Sequence, residues 1–456
     1  MICLSATFFA QPPATRTMRL DYFHTGGVSP EVFALDEVVI EPAPWPGRPV
    51  PVDDTLRYGA YGFDVRDAAS RRALYSSGFG SIFDEWVTTE EAKTMSRTFH
   101  ESLRFPEPAA PVTVSVRKRG ASNTWQDVWT ITVDPGDMFV STAAPEPAPG
   151  PVMTLQRSGD PAAKVDLLLI GDGYTAAERG QFEADARRLM DVLFATPPFR
   201  ERRTDFNVWG LAPAARESGV SRPSQGIHRA SPVGATYDAF RSERYVLTFD
   251  NKRFRGAASY APYDVVEIVT NTRTYGGGGI YNLYSTVAAD NAFSPYVFVH
   301  EFAHHFAALA DEYYTSPVAY LPSETREEPW EPNITASGAA PKWKDLVEAG
   351  TPLPTPWRKQ EYEARSRAAQ ARRAEIRKQN RPESEMEALF QEERLMDQRQ
   401  FAAETFAGKV GAFEGARYEA RGFYRPEVDC IMFTRSQDFC AVCRRALSRV
   451  IDTYVQ

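Results

Sequence analysis

The stretch Val165-Asp-Leu-Leu-Leu-Ile-Gly-Asp-Gly-Tyr-Thr175 determines how the larger part of the chain folds. It starts with a short, mostly apolar run, typical of a buried strand, and its glycines then indicate a turn. Thr175 is a candidate helix cap, because Glu178 follows three residues later and residues 176–193 have a helical period. Two further strand-like runs follow, at 206–210 and 265–269. This strand–helix–strand order predicts an α/β domain.

A change in composition divides the chain into two parts. Residues 18–141 contain short apolar stretches that alternate inward and outward residues between turn signals, which predicts a β-sandwich. Residues 142–152 contain four prolines, which cannot continue a helix or a sheet, and this predicts a stiff linker. Residues 153–456 form the predicted α/β domain, and the apolar start at 1–17 is interpreted as a possible remnant of a signal segment. The predicted fold class is therefore α+β.

The segment at about 358–400 differs in composition from the rest of the second domain. Arg, Lys, Glu, Gln and Ala dominate it, and Pro382 interrupts its helical pattern. The basic half of such a segment can form a binding patch, but charges of mixed sign are more typical of a solvated helix face. We therefore expect a solvated helical insertion here.

The overall composition excludes some classes of partner. The 456 residues are 43% hydrophobic, which suits a core in each of two or three domains. The net charge is −8 and no basic stripe is present, so general electrostatic binding to nucleic acid is not expected. No apolar run reaches the length of about 18 residues that indicates a transmembrane helix, so no integral membrane segment is predicted. The sequence does not define the oligomeric state.

Three of the four cysteines lie close together near the end of the chain. Cys430, Cys440 and Cys443 fall within fourteen residues, whereas Cys3 belongs to the apolar start. Such clustering predicts one disulfide, from Cys430 to Cys440 or Cys443, in an exported protein. The alternatives are reduced thiols or half of a structural zinc site, because a second cysteine pair that would close a four-ligand site is missing.

The pattern most typical of a chemical function is His300-Glu-Phe-Ala-His304. On a helix, His300 and His304 lie on one face about one turn apart, which lets two imidazoles bind one tetrahedral zinc ion. Glu301 can act as the base toward water that the metal activates. Apolar neighbours such as Val297-Phe-Val299 predict a buried helix face, on which two His and a Glu are costly unless they are paired or bind metal.

A catalytic zinc ion normally has three protein ligands, and the sequence leaves the identity of the third one open. Asp311 is the first candidate, yet on a straight helix it would lie about 10 Å beyond His304 along the axis. The helix must therefore break near residues 307–310, although no glycine marks the break. Glu312 or a remote residue is the alternative ligand. His305 points to another face of the helix and is predicted to be structural.

Further candidates lie on either side of the predicted zinc helix. Residues 275–288 contain four consecutive glycines followed by alternating residues, which predicts an exposed edge strand that could hold an extended peptide. Met432 resembles the methionine turn beneath the metal of metzincin metallopeptidases. Tyr424 or Tyr418 is a candidate hydrogen-bond donor to the oxyanion of a tetrahedral intermediate, with core packing as the alternative for both.

These residues resemble the M64 family of metallopeptidases, the IgA peptidase family. The matching segments of the second domain are Ile170-Gly-Asp-Gly-Tyr-Thr175, Thr196-Pro-Pro-Phe199, Asn207-Val-Trp209, Tyr275-Gly-Gly-Gly-Gly279, His300-Glu-Phe-Ala-His304, Leu309-Ala-Asp-Glu-Tyr313, Phe413-Glu-Gly415, Tyr424-Arg-Pro426, Cys430-Ile-Met432 and Phe439-Cys-Ala-Val-Cys443. The first part resembles the domain that commonly precedes M64 catalytic domains. Its matching segments are Met18-Arg-Leu-Asp-Tyr-Phe-His-Thr-Gly26, Gly78-Phe-Gly-Ser-Ile-Phe-Asp-Glu-Trp86 and Phe99-His-Glu-Ser-Leu-Arg-Phe-Pro106.

The resemblance implies a zincin-like catalytic domain, a bound zinc ion, and export from a bacterium to its periplasm, surface or medium. By motif position it implies His300 and His304 as ligands and Glu301 as the base, and it supports Asp311. The chain departs from the family pattern where glycine is usual, at Ala303 and Ala308. The second departure leaves the geometry of the third ligand open. The IgA specificity in the family's name does not transfer by motif.

The leading hypothesis is a zinc-dependent endopeptidase acting on polypeptides. A first alternative is a secreted or surface protein that binds glycan or protein and carries a vestigial zinc site, and the intact motif argues against it. A second alternative is a metal-dependent amidase acting on cell-wall peptides, which a narrow pocket would favour.

Overall fold

The N-terminal part consists of two four-stranded sheets that face each other. The computed structural model describes residues 15–47, 53–322 and 326–455, so most of the possible signal remnant, with Cys3, lies outside the described residues. The elements are β1 (Arg16–Gly27), β2 (Val32–Pro44), β3 (Tyr61–Asp67), β4 (Ala73–Phe79), α1 (Ile82–Trp86), β5 (Ser96–Pro106), β6 (Val112–Arg119), β7 (Trp125–Val133) and β8 (Val140–Ser141). One sheet has the order β5-β1-β2-β8 and the other β4-β3-β6-β7.

The two sheets share one core, as a sandwich requires. Leu20 and Leu103 from the first sheet pack with Phe63 and Val114 from the second, and all four are buried. Alternate residues of each strand face this core because side chains of a strand point to opposite faces. The predicted β-sandwich is confirmed.

The second part is built on a six-stranded sheet. Its strands and the smaller pairs are β9 (Met153–Gln156), β10 (Val165–Asp172), β11 (Phe206–Leu211), β12 (Ala235–Thr236), β13 (Leu247–Thr248), β14 (Val265–Thr270), β15 (Gly277–Ile280), β16 (Tyr284–Ala288), β17 (Phe413–Ala416) and β18 (Glu419–Arg425). The sheet order is β15-β16-β14-β10-β11-β9, with the four inner strands parallel and the two edge strands antiparallel to their neighbours. The predicted α/β arrangement is therefore present, and the fold class is α+β.

Helices cover both faces of this sheet. They are α2 (Arg179–Leu193), α3 (Asn251–Ala258), α4 (Ser294–Ala307), α5 (Lys359–Lys378), α6 (Glu383–Ala402) and α7 (Ala441–Tyr454). Leu167 and Leu169 share a core with α2, α4 and α7, whereas Leu168 and Ile170 face the core that contains α3. Burial on both faces explains why β10 has an almost continuous apolar sequence. None of the described helices is long and apolar enough to cross a membrane.

The turn after β10 forms as its sequence predicts. The Glu178 carboxylate accepts hydrogen bonds from the Thr175 N–H and hydroxyl, both at 2.8 Å, in a capping box that starts the helical segment. Such a box satisfies backbone donors that a helix N-terminus leaves without partners. A short 3₁₀ turn at 176–178 leads into α2.

The charged insertion is less solvated than its composition indicates. α5 and α6 are helices separated by a break before Pro382, as expected, but each buries one side. Phe390 packs edge-on against Tyr275 with ring centroids 4.7 Å apart, and Glu383 accepts a hydrogen bond of 3.0 Å from the Tyr275 N–H. The expected solvated insertion is therefore correct only for its outer side, because apolar residues such as Phe390 pack against the rest of the domain.

The N-terminal part contacts the turn that joins β15 to β16. The Gly80 N–H donates to the Tyr281 carbonyl at 2.8 Å, and the Asn282 amide donates to the Gly78 carbonyl at 2.9 Å. On the same side, Tyr320 donates a hydrogen bond of 2.8 Å to Glu85 of α1. The sandwich thus supports the edge strand of the larger sheet.

Candidate metal centre

Helix α4 carries His300, Glu301 and His304. It ends at Ala307, early enough for the chain to turn back and bring Asp311 to the histidines. Ala308 adopts the left-handed conformation with φ +55°, and its N–H bonds back to the carbonyls of Ala303 and His304. This is a helix C-cap that glycine usually provides, and an alanine occupies it here at a modest steric cost. The chain reverses after Ala308, which brings Asp311 back to the histidines. The predicted break at 307–310 is present without a glycine.

Three acceptor atoms converge at this point. The Nε2 atoms of His300 and His304 are 3.1 Å apart, and Asp311 Oδ1 lies 3.0 Å from the first and 3.2 Å from the second. Tetrahedral zinc with nitrogen and oxygen ligands at about 2.0–2.1 Å requires ligand atoms about 3.3 Å apart. The triangle therefore has the dimensions of a site for one zinc ion, with Asp311 where a third ligand is needed.

The Nδ1 atoms of both histidine rings bond to backbone carbonyls, which leaves the Nε2 atoms free to bind a cation. His300 Nδ1 donates to the Ile431 carbonyl at 2.9 Å, and His304 Nδ1 donates to the Leu309 carbonyl. Because a carbonyl only accepts, each Nδ1 carries the proton and each neutral ring has its lone pair on Nε2. Two such lone pairs and a carboxylate oxygen at contact distance repel one another unless a positive charge lies between them.

The electrostatics of the three residues also call for a positive charge. Burial opposes the ionised form of Asp311, but His304 and His300 hold the pKa of this carboxyl well below its usual value. Burial lowers the pKa of His304, and the Asp311 carboxylate outweighs this and raises it to about 9. Either a proton on a histidine ring or a bound metal ion supplies this positive charge. Two imidazoles and a carboxylate form a donor set that zinc prefers.

Glu301 lies beside the three ligands on the same helix. One of its carboxylate oxygens is within 4.8 Å of a ring nitrogen of His300 and of one of His304. Burial raises the pKa of Glu301 above its ordinary value, although the two histidines act in the opposite direction. A carboxylate with a raised pKa, next to a metal site, is suited to accept a proton from water.

Tyr418 holds Asp311, the candidate third ligand. Its hydroxyl donates to Asp311 Oδ2 at 2.6 Å, while the Arg417 N–H donates to the Asp311 carbonyl at 3.1 Å. Both Arg417 and Tyr418 have positive φ, at 53° and 65°, in the tight turn between β17 and β18. Sequence reasoning named Tyr418 as an oxyanion donor and missed this contact, because it depends on a turn more than a hundred residues away from Asp311.

Removing the Tyr418 hydroxyl tests this contact. Tyr418→Phe is expected to weaken zinc binding by about 10–100-fold, since partners of metal-bound carboxylates contribute this much to affinity. Competition with a chelator of known affinity measures the change. Tyr260→Phe, which removes a hydroxyl bonded to the Pro145 carbonyl, is the matched control. An unchanged affinity in Tyr418→Phe would contradict the role assigned to this hydroxyl.

The structure does not place Tyr424 with these residues. Tyr424 lies in β18, where its backbone pairs with Thr335 through hydrogen bonds of 2.9 and 3.1 Å and its ring packs against Gly338. The fold does bring other tyrosines to the cluster. Tyr418 bonds to Asp311, the Tyr296 hydroxyl is 3.3 Å from His300 Nδ1, and the Tyr313 ring stacks on the His300 ring with centroids 6.5 Å apart. The predicted oxyanion role of Tyr424 thus gains no support from its position.

His305 is structural, as its position on the helix indicated. Its Nε2 accepts from the Val266 N–H at 3.1 Å and its Nδ1 donates to the Ile280 carbonyl at 3.1 Å. Burial lowers the pKa of His305 to about 3, so the ring stays neutral. It links helix α4 to strands β14 and β15.

Glu312 and the cysteines lie behind the three ligands. Glu312 is fully buried, accepts a hydrogen bond of 3.0 Å from Asn333, and lies with the cysteines rather than with the histidines. The expected disulfide is absent: Cys430, Cys440 and Cys443 are all free thiols. The Sγ atoms of Cys430 and Cys443 are 3.8 Å apart, too far for the bond of about 2.05 Å.

The turn that contains Met432 supports the ligands through its backbone. The Ile431 carbonyl accepts from His300, and the Met432 carbonyl accepts from the Glu312 N–H at 2.8 Å. Met432 is fully buried, and a hydrogen bond from the Phe433 N–H to the Cys430 carbonyl at 2.8 Å closes the turn. The predicted methionine turn therefore adjoins the metal residues.

The glycine-rich segment becomes the edge strand β15, packed directly on α4. A Cβ atom on Gly279 would lie 2.3 Å from the Glu301 carbonyl oxygen, so only glycine allows this approach. Gly277 exchanges backbone hydrogen bonds with Arg244 and Val246, both at 3.1 Å. Part of the outer edge is thus already paired, and the half-exposed Gly279 lies further along it.

Gly279→Ala tests this close packing. The added methyl group must displace the backbone of α4, and such overpacking costs about 1–3 kcal/mol of unfolding free energy. Chemical denaturation measures the change. Gly180→Ala is the control, because a Cβ there meets nothing within 4 Å and alanine favours the helix. We expect Gly279→Ala to destabilise and Gly180→Ala to stabilise, and equal effects would refute the packing argument.

A polar cleft opens beside the cluster. Arg244 forms its inner side, with a guanidinium nitrogen 3.3 Å from the Tyr313 hydroxyl. Helices α5 and α6 and the segment after Met432 also line it. The residues that line it include Tyr296, Thr315, Tyr362, Arg365, Arg373 and Arg435. The insertion therefore lines a cleft that adjoins the metal residues through Tyr296.

The chain matches two family models that together span most of its length. The model for IgA Peptidase M64 matches residues 153–451, and the model for the Peptidase M64 N-terminus matches residues 8–130. No curated protein matches the chain. The first match alone covers more than half of the sequence and includes every residue of the cluster described above. The chain therefore belongs to the M64 peptidase family and has the N-terminal domain of that family.

Proposed function

We propose that the protein is a zinc-dependent endopeptidase. The observation that carries this proposal is the convergence of His300 Nε2, His304 Nε2 and Asp311 Oδ1 within 3.2 Å of one another. Membership of a peptidase family supports hydrolysis of peptide bonds, and the donor set supports zinc. Glu301, beside the ligands, is the proposed general base.

The residues of the chain have distinct tasks in this reaction. Zinc, when bound, would supply the Lewis acidity that lowers the pKa of water and polarises the scissile carbonyl. Glu301 accepts the proton of the attacking water and later delivers it to the leaving amine. Ile431 and Leu309 hold the histidine rings through their carbonyls, and Tyr418 holds Asp311. Arg244, the arginine of the adjoining cleft that bonds to Tyr313, is the candidate for stabilising the oxyanion in place of Tyr424.

An extended polypeptide is the substrate that the edge strand favours. In a strand, alternate residues direct their N–H and C=O groups to the same edge, so those of Gly279 point outward as those of Gly277 do. A peptide added beyond Gly277 would pair with the Gly279 backbone. It would then lie close to Glu301, whose backbone Gly279 contacts.

The narrow cleft keeps one alternative open. Because α5 and α6 line the cleft that adjoins the metal residues, small peptides of the cell-wall type are a second candidate class of substrate. An unfolded protein and a short cell-wall peptide, tested side by side, distinguish an endopeptidase from an amidase. A surface binding protein with a vestigial site would hydrolyse neither.

Elemental analysis combined with a hydrolysis assay tests the proposal. The wild type is expected to carry catalytic zinc and cleave an unfolded protein, and His304→Ala to lose both. His228→Ala, on an exposed loop, is the control for replacing a histidine. A folded wild type that takes up no zinc at His300 and His304, even with added metal, would overturn the proposal.

Export from a bacterium to the periplasm, surface or medium is proposed with the function. The family resemblance supports it, whereas the free thiols remove the support that a disulfide would have given. Detection of the protein in cell fractions of its host decides the matter.

A further inference from the structure

A second group of metal-binding side chains lies behind the first. Glu312, Cys430, Cys440 and Cys443 each offer one ligand atom, and these four atoms all lie within 4.8 Å of one another. All four residues are buried, with at most 3% of any of them exposed. None of them contributes to the proposed catalytic cluster.

Three separate segments bring these residues together. Glu312 follows Asp311 in the loop after α4, and Cys430 lies in the turn after β18. Cys440 is the N-cap of α7 and Cys443 is in its first turn, so the pair forms a Cys-x-x-Cys motif at a helix N-terminus. The helix dipole at this end stabilises thiolates, the form in which cysteine binds metal.

The separations between the atoms fit a single tetrahedral zinc ion. Zinc–sulfur bonds of about 2.3 Å place two sulfurs about 3.8 Å apart, and a sulfur and an oxygen about 3.6 Å apart. The Sγ atoms of Cys430 and Cys443 are 3.8 Å apart, and Cys443 Sγ lies 3.4 Å from Glu312 Oε1. Three cysteines and one carboxylate complete four ligands.

Backbone amides point at two of the sulfurs. The Cys440 N–H lies 3.3 Å from Cys430 Sγ, and the Cys443 N–H lies 3.4 Å from Cys440 Sγ. Amide donors favour a charged sulfur acceptor, as they favour other anions. Such bonds suit three thiolates around a cation better than three neutral thiols.

One atom of the group is left without a partner. Glu312 Oε2 is buried and accepts no hydrogen bond from any described residue, while Oε1 accepts from Asn333. A buried carboxylate oxygen without a partner is costly, and a cation among the four ligands would remove that cost. The nearby buried Arg425 does not meet this need, because its guanidinium donates to the Gly415 and Val428 carbonyls.

We propose that Glu312, Cys430, Cys440 and Cys443 hold a structural zinc ion, separate from the catalytic one. Thiolate ligands favour zinc over calcium or magnesium, and a site closed by four protein ligands leaves no position for substrate. The three thiols release their protons to solvent when the ion binds. The sequence does not reveal this site, because its fourth ligand is a glutamate far from the cysteines in the chain, whereas a four-ligand zinc site is usually recognised by a second cysteine pair.

The proposed ion would fix the residues that position the catalytic cluster. Asp311 and Glu312 are consecutive, and their carboxylates point to different sites. The Glu312 N–H also bonds the Met432 carbonyl, next to the Ile431 carbonyl that holds His300. A second ion would thus anchor both the loop of the third ligand and the turn beneath the histidines.

Zinc content of the purified full chain tests the proposal. We expect two zinc ions per wild-type chain and one in Cys443→Ala, with two retained in the control Cys3→Ser. His304→Ala is also expected to hold one zinc ion, the structural one. Zinc content of this variant therefore tests the structural site even if the peptidase proposal fails. Should Cys443→Ala not fold, Glu312→Gln serves as the second variant, with a loss of zinc affinity of at least about 10-fold expected.

Two further measurements identify the ligands. Replacement of zinc by cobalt in His304→Ala is expected to give a thiolate-to-cobalt charge-transfer band in the near ultraviolet. Thiol titration of the chain, unfolded without reductant and with a chelator, is expected to find all four cysteines reduced. A loss of two thiols and of two hydrogens in mass would show a disulfide and overturn the proposal. Four thiols with no cobalt band and no second zinc ion would overturn it as well.

Discussion

Glu301→Gln is expected to bind zinc like the wild type and to hydrolyse its substrate about 10²–10⁴-fold more slowly, because a general base usually contributes a factor of this size to the rate. The amide keeps the shape of the side chain and cannot accept the proton. Glu301 contributes none of the three converging ligand atoms, so the substitution leaves all three candidate ligands in place. The measurement is kcat on an unfolded protein, together with zinc content by elemental analysis.

The control for this substitution is Glu183→Gln. Glu183 is exposed on α2 and pairs with Arg187, so the same chemical change there leaves the rate unaltered. A Glu301→Gln enzyme with full zinc and a normal rate would assign the base to another residue. Loss of zinc together with activity would instead make Glu301 a part of the metal site.

Asp311→Ala is expected to abolish zinc binding at the histidines and all hydrolysis with it. The substitution removes the third ligand and leaves two imidazole nitrogens 3.1 Å apart without the carboxylate that holds a cation there. The loss of affinity should exceed the roughly 10–100-fold that residues outside the ligand set contribute. Competition with a chelator measures it, and thermal unfolding reports whether the fold survives.

Two comparisons make the Asp311 result specific. Asp345→Ala, at an exposed carboxylate paired with Arg445, should change neither zinc binding nor activity. Glu312→Gln, one residue along, should leave the histidine site able to bind zinc. If Asp311→Ala kept the zinc ion at the histidines while Glu312→Gln lost that ion, the third ligand would be Glu312, contrary to the geometry.

The features that sequence predicted well depend on local patterns. The spacing of His300 and His304 is a property of any helix, and the capping box at Thr175 and Glu178 involves residues three apart. The sandwich and the buried strand β10 follow from the alternation and continuity of apolar residues. In these cases, neighbouring residues alone determine the local structure.

The features that sequence missed depend on contacts between distant segments or on an unusual residue for the conformation. Ala308 takes a left-handed conformation that favours glycine, so the break before Asp311 could be expected only because Asp311 has to reach the histidines, and no residue type identified Ala308 as its position. Tyr418 reaches Asp311 from a turn 107 residues later. Glu312 meets Cys443 across 131 residues, and the charged helix α5 buries a side that its composition did not indicate.

The contact between the sandwich and the β15–β16 turn has a consequence for how the protein can be divided. Gly80 and Asn282 tie the two parts together next to the strand that packs on Glu301. A chain that begins at residue 153 would therefore expose the turn and lose the support of that strand. The N-terminal domain acts as a built-in scaffold for the catalytic centre, so truncation at the linker should impair the peptidase even though every residue of its metal centre is retained.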